Sequence, residues 1–264
     1  MSICVFACDH RPTAEWDLPY IRFGGPESSC AVRCPANEVL GEEAEADEVP
    51  KICWLWENLG QFGCDVVGYC QYRRFFSRLA TGLPVVDFPA PAFRREFAMT
   101  PGEQEAAMAA AGADGILHPH FKVVDERRTP YTYVWEQIGI LEGERMLPSA
   151  LREKAFSLLL SRTPERMKDA MEKAFRVREN YLCNIFTAKA AVFREFGETA
   201  FPAAADLLRL VGAGRSRLHQ YWLAYVFERF TSCWFHAAEI SGRYRFLKVP
   251  LATIDGSRHV EGRV

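Results

Sequence analysis

Residues 65–78, DVVGYCQYRRFFSR, constrain the fold more than any other part of this chain. Val66-Val67-Gly68-Tyr69-Cys70 is apolar throughout and bounded by turn-like neighbours, so it reads as a buried β-strand. Polar, doubly positive Gln71-Tyr72-Arg73-Arg74 follows at once, and then Phe75-Phe76. Two readings of the arginines stand. They are solvated charges, or partners of the acidic segment 41–48, or else they face an anion at the carboxyl edge of the strand. Consecutive side chains diverge along an extended chain, so one arginine of the two would point at such a ligand.

The rest of the chain supplies alternating short strands and helices. Residues 2–8 read as a strand ended by Asp9-His10-Arg11-Pro12, and Tyr20 to Phe23 as a second short one. Val49 to Leu59 places Ile52, Leu55, Trp56 and Leu59 on one helix face, with Pro50 in the first turn and Gly60 and Gly63 as stops. Pro101 to Gly112 reads as a short Ala-rich helix, and 114–119 as a strand ending in His118-Pro119. Residues 84–98 are Pro-rich loop. Helices are expected over 132–140, 147–160, 164–175, 189–211 and 218–237, and strands over 181–187 and 246–253. This alternation implies an α/β fold with a mainly parallel sheet flanked by helices and a helical C-terminal part. Such sheets bind ligands outside the carboxyl ends of their strands, which groups His10, the 71–74 tetrad and His118 around one crevice. The 264 residues read as a single domain, with 142–178 as a helical insertion.

Several function classes are excluded. A net charge of −2 gives no general footprint for nucleic acid, so an anion site must be local. No apolar run reaches the roughly 18 residues that span a bilayer. The N-terminus reads as a first strand and not as a signal peptide. Nine cysteines, an odd number scattered through apolar runs, read as reduced cytoplasmic thiols. Amphipathic C-terminal segments leave room for peripheral attachment at the inner face of a membrane. P-loop, dinucleotide, nucleophile-elbow and HExxH patterns are absent from the sequence, and so is any D-x-D. His118-Pro119-His120 lacks a third metal ligand. Glu228-Arg229, inside the apolar run YWLAYVFERFTSCWF, is either a structural ion pair or a carboxylate near a reacting centre.

The order of these motifs resembles the bacterial family known as domain of unknown function 4422, associated with capsular and exopolysaccharide glycosyltransferases. Asp9-His10-Arg11-Pro12 is similar to its His-Lys-Pro turn, and Tyr20-Ile21-Arg22-Phe23-Gly24-Gly25 to its "YIP-x-x-x-G" stretch. Cys53-Trp54-Leu55-Trp56-Glu57-Asn58-Leu59 looks like "YWAWKNL", and residues 67–76 look like "IGLxHYRRYF". Asp114 to Pro119 resembles "YDIILPK", Asn184-Ile185-Phe186 resembles "NMF", and Phe227 to Phe230 resembles "AERL", with Arg217 as the upstream arginine.

The resemblance implies a glycosyltransferase A-like fold. It also implies transfer from a nucleotide-diphosphate sugar to a saccharide or lipid-linked acceptor in surface-polysaccharide assembly. On that basis His10, Arg11, Tyr72, Arg73 and Arg74 lie on the donor diphosphate, and Asn184, His118 and Arg229 on donor or acceptor. Glu228, Asp114 and Gln71 are the catalytic candidates. No cofactor is required on this reading; Mn²⁺ or Mg²⁺ would have to bind without a D-x-D. Gln71 stands where the family has His, and glutamine cannot take up a proton at neutral pH. Two alternatives therefore accompany the enzyme: a catalytically impaired sugar-nucleotide or saccharide-binding protein, and an interaction module built on the aromatic C-terminal helix.

Overall fold

A computed structural model describes residues 2–8, 18–24, 30, 32–34, 40, 48–71, 74–78, 85–86, 98–112, 115–119, 149–177, 184–212 and 222–254. Their strands are β1 (Ile3–Cys8), β2 (Ile21–Gly24), β3 (Val32–Arg33), β4 (Val66–Gln71), β5 (Arg74–Phe76), β6 (Val85–Val86), β7 (Gly115–Pro119), β8 (Phe186–Lys189), β9 (Arg245–Val249) and β10 (Leu251–Ile254). The helices are α1 (Val49–Asn58), α2 (Pro101–Ala111), α3 (Ser149–Arg162), α4 (Lys168–Ala174), α5 (Ala190–Val211) and α6 (Trp222–Ile240). The expected helix over 132–140 lies outside the described residues.

Burial on both faces explains why the β4 sequence has no polar alternation. All six of its residues are buried. Val67 and Tyr69 join Phe6 and Cys8 of β1 under one helical layer, while Val66 and Cys70 join Val5 and Ala7 under the other. Strands β3, β2, β1 and β4 are parallel in that order, with Cys8 level with both Phe23 and Gln71.

Beyond β4 the sheet becomes mixed and divides. With β1 along one edge of β4, its other edge carries β8, antiparallel, from Val66 to Tyr69, and β5, antiparallel, at Gln71. One branch continues as β8-β7-β9 and the other as β5-β10-β6. The fork opens where β4 ends.

The strand expected over 246–253 is therefore two strands in different branches. Pro250, which has no N–H to give a ladder, separates β9 on β7 from β10 on β5. Of the strand expected over 181–187, residues 181–183 lie outside the described residues, Phe186 and Thr187 open β8, and Asn184 has a left-handed backbone (φ 52°) that extended chain does not allow.

Helix α1 forms as its spacing predicts. Val49, Ile52, Cys53 and Leu55 are buried, Pro50 sits in the first turn, and a 3₁₀ turn (Leu59–Phe62) ends at left-handed Gly63. It crosses α5 at Gly197, where a Cβ would overlap the Trp56 ring, and the Trp56 indole N–H donates to the Arg194 carbonyl at 3.2 Å. Helices α5 and α6 interlock through aromatic rings, with Phe201 stacked on Phe227 at 5.1 Å and Phe196 edge-on to Trp234 at 5.6 Å. Ala155, Leu159 and Met171 bring α3 and α4 into the same core. Each phenyl ring fully removed from water contributes about 1.5–3 kcal/mol, so this layer anchors the sheet.

On the opposite face α2 starts with a reciprocal cap between Thr100 and Glu103. Its Gln104 meets the Thr187 hydroxyl of β8 at 2.6 Å across the space left by Gly68, and its amide donates to the Tyr20 hydroxyl at 3.3 Å.

Candidate functional site

The fork gathers polar groups that the rest of the sheet excludes. Gln71 ends β4, Arg74 begins β5, and the two are paired directly across the ladder, which puts their side chains on the same side. Asn184 leads into β8, and Glu48 immediately precedes α1. Glu48 is 3 % exposed, Gln71 7 % and Asn184 1 %, so their polar atoms have to be satisfied within the protein.

They satisfy one another. Glu48 Oε2 accepts from the Gln71 amide at 2.6 Å and from the Tyr69 hydroxyl at 3.4 Å. Its Oε1 accepts from the Asn184 amide at 2.7 Å. The Thr231 hydroxyl of α6 lies 2.8 Å from Asn184 Oδ1 and 2.9 Å from the Phe227 carbonyl. On the outer side, Arg74 Nη1 donates to Gln71 Oε1 at 2.9 Å. A carboxylate, two amides and a guanidinium are thereby linked at the carboxyl ends of the parallel strands β1 and β4.

Neighbouring ionisable groups stay protonated. Burial raises the Cys8 thiol well above its usual range; the Lys51 ammonium opposes this, and the Glu48 charge adds to it. Burial also raises the Tyr69 phenol, aided by the negative charge of Glu48, so the phenol stays protonated and donates its O–H to Glu48.

Of the residues singled out from sequence, the structure brings Gln71, Arg74 and Asn184 together. His10, Arg11, Tyr72, Arg73, Asp114 and Arg217 lie outside the described residues. His118 is fully buried on β7, two strands from β4, with its ring edge-on to Phe246 at 5.4 Å. Arg229 is fully buried and turned toward α3, its guanidinium carbon 6.0 Å from the Phe156 ring centre. Glu228, half-buried, stands on α6 one turn before Thr231.

Glu48, Tyr69 and Thr231 were not singled out from sequence. Glu48 ends an acidic run, GEEAEADE, that reads as solvated charge. Its one local signal is its place directly before the apolar start of a helix. Among the described residues no group of three or more His, Cys, Asp or Glu is placed to hold a metal ion. No described helix is long and apolar enough to cross a membrane.

The comparisons with known proteins agree with this architecture. A family model described as "Domain of unknown function (DUF4422)" matches residues 47–239. The chain belongs to this family. The matched span contains every member of the DUF4422 chain's fork network, from Glu48 to Thr231. Among solved structures the chain is similar to the apo structure of the bifunctional glycosyltransferase WbbM, with a TM-score of 0.69 at 15 % identity. That likeness takes in 100 % of this chain and 48 % of WbbM, so the chain spans about half of the other's length. The shared property is the fold, a mixed sheet flanked by helices. No protein of curated function matches the chain.

Proposed function

We propose that this DUF4422 protein is a glycosyltransferase that uses a nucleotide-diphosphate sugar and a saccharide or lipid-linked acceptor in surface-polysaccharide assembly. The observation that carries this reading is Arg74, held by a buried polar network at the carboxyl edge of two parallel strands, where α/β sheets bind their ligands. A guanidinium there suits a diphosphate, since one hydrogen bond to a charged group is worth about 1.5–3 kcal/mol. The WbbM-like fold supports the same class of reaction.

In the proposed step an acceptor hydroxyl oxygen bonds to the anomeric carbon as the bond from that carbon to the diphosphate oxygen breaks. The electron pair leaves with the diphosphate, which Arg73 and Arg74 neutralise, with His10, Arg11 and Tyr72 on the donor; Asn184, buried beneath the site, acts by holding Glu48. The acceptor proton passes to a carboxylate, for which Glu228 and Asp114 are the candidates. The reaction needs no metal, and it takes place in the cytoplasm or at the inner face of the membrane.

A second reading has its own observation. Both ends of the Gln71 amide are engaged, one by Glu48 and one by Arg74, as suits a protein that binds a sugar nucleotide without transferring it. Incubation with a panel of nucleotide sugars and saccharide acceptors separates the two. New glycosidic product supports transfer, whereas tight binding with neither product nor donor hydrolysis supports the binding protein. Turnover abolished by a chelator and restored by Mn²⁺ would overturn the arginine-only account.

A further inference from the structure

We propose that Glu48 and Gln71 form a positioning relay that holds Arg74 ready for an anionic diphosphate. This rests on the diphosphate assignment made above.

The logic follows from which atoms give and which accept. A carboxylate only accepts hydrogen bonds and a guanidinium only donates them; an amide does one at each end. Gln71 sits between Glu48 at 2.6 Å and Arg74 at 2.9 Å. Its N–H end must therefore face Glu48 and its oxygen must face Arg74. Turning the amide over would set oxygen against oxygen and N–H against N–H, losing both bonds at once. A buried carboxylate thus fixes the arginine through one intervening amide, and its negative charge compensates the guanidinium while the site is empty. Asn184 and Tyr69 hold Glu48 from the other side. Among the described residues, Tyr69 and Cys8, both kept protonated by burial, also lie close to the carboxylate, as does Lys51, whose charge acts on the Cys8 thiol.

The relay explains a glutamine at this point of the sequence. Its task is to connect two opposite charges. A proton acceptor is not needed for that.

Calorimetric titration of pyrophosphate and of nucleoside diphosphates into the full chain tests the relay. Arg74→Ala and Gln71→Leu are each expected to weaken binding about tenfold, the loss of one charge-assisted hydrogen bond. Gln71→Glu sets two carboxylates against each other. Its binding is expected to be weak near about pH 9 and to recover toward about pH 6, as one shared proton supplies the missing donor. The exchange Glu48→Gln with Gln71→Glu restores a donor facing residue 71 and an acceptor facing Arg74. It is expected to bind like the wild type and to lose that pH dependence.

The relay is overturned if Gln71→Leu binds normally while Arg74→Ala does not, or if the double exchange follows Gln71→Glu. Should Arg74→Ala bind normally, the diphosphate assignment fails and the relay is judged on the nitrogen resonances of the Arg74 guanidinium. Restricted rotation in the wild type and the double exchange but not in Gln71→Leu upholds it; equal rotation in all three overturns it.

Discussion

Asn184 donates its side-chain amide to Glu48 Oε1 at 2.7 Å from a left-handed backbone, φ 52°. The same side chain accepts from Thr231, so one residue ties the start of β8 to the start of α1 and to α6. Asparagine tolerates this conformation, whereas alanine pays about 1–2 kcal/mol for it. Asn184→Ala also leaves Glu48 and Thr231 short of a partner, and its expected total cost is about 2–4 kcal/mol. Asn184→Gly loses the side chain but not the backbone freedom, so it should be milder than Ala by about 1 kcal/mol. Urea denaturation of the two variants checks this; equal losses would remove backbone strain from the account.

Gly197 lies mid-helix in α5, where alanine would ordinarily gain about 1 kcal/mol in helix propensity. Here a Cβ would run into the Trp56 ring. Overpacking of this kind costs about 1–3 kcal/mol, so Gly197→Ala is expected to destabilise the protein. In a Trp56→Ala background the obstruction is gone and the same change is expected to stabilise. Thermal melts of the four proteins read the reversal of sign.

Glu103 gives a defined acid-range signature. The Arg78 guanidinium at 2.7 Å, helped by the Thr100 cap, lowers its carboxyl from 4.5 to about 2. A depressed carboxyl stabilises the fold above its unfolded value and loses that contribution as pH falls from about 4.5 through about 2. Because the Glu103 side chain is 43 % exposed, solvent screening holds the effect to about 1 kcal/mol or less. Glu103→Gln keeps the reciprocal cap and removes the charge. Its stability deficit at neutral pH should shrink toward zero near pH 2, as read by denaturant melts across the range.

The sequence shows best those features whose causes are local. The apolar run of β4, the spacing of Ile52, Leu55 and Leu59, and the Pro101 and Gly112 boundaries of α2 all specify structure within a few residues. The fork was hidden because pairing decides it. Residues 246–253 read as one strand, yet Pro250 sends its two halves to partners in opposite branches. Glu48 was hidden for a related reason. Inside an acidic run it resembles its neighbours, and only contacts 23 residues away at Gln71 and 136 away at Asn184 distinguish it. The arginines could be read either as anion ligands or as partners of the 41–48 segment. In the fold Arg74 reaches Glu48 of that segment through the Gln71 amide, a link that a list of charges along the sequence does not reveal.

The buried thiols predict behaviour at the other end of the pH scale. Burial, opposed by Lys51 and reinforced by Cys30, raises Cys34 to about 12; burial and the neighbouring Cys4 raise Cys64 to about 12. In the unfolded chain such thiols ionise near about 8.5. As pH rises from about 8.5 toward about 12 the unfolded state sheds protons that the folded state keeps, so stability falls with pH through that window. Cys34→Ala removes one such group and is expected to flatten the alkaline slope, with little change in its shape at neutral pH. Alkylation provides a second readout. At pH 8 iodoacetamide should label Cys34 and Cys64 far more slowly in the native protein than in urea, because only the thiolate reacts. Equal labelling rates in the two states would show that these thiols are neither shielded nor shifted.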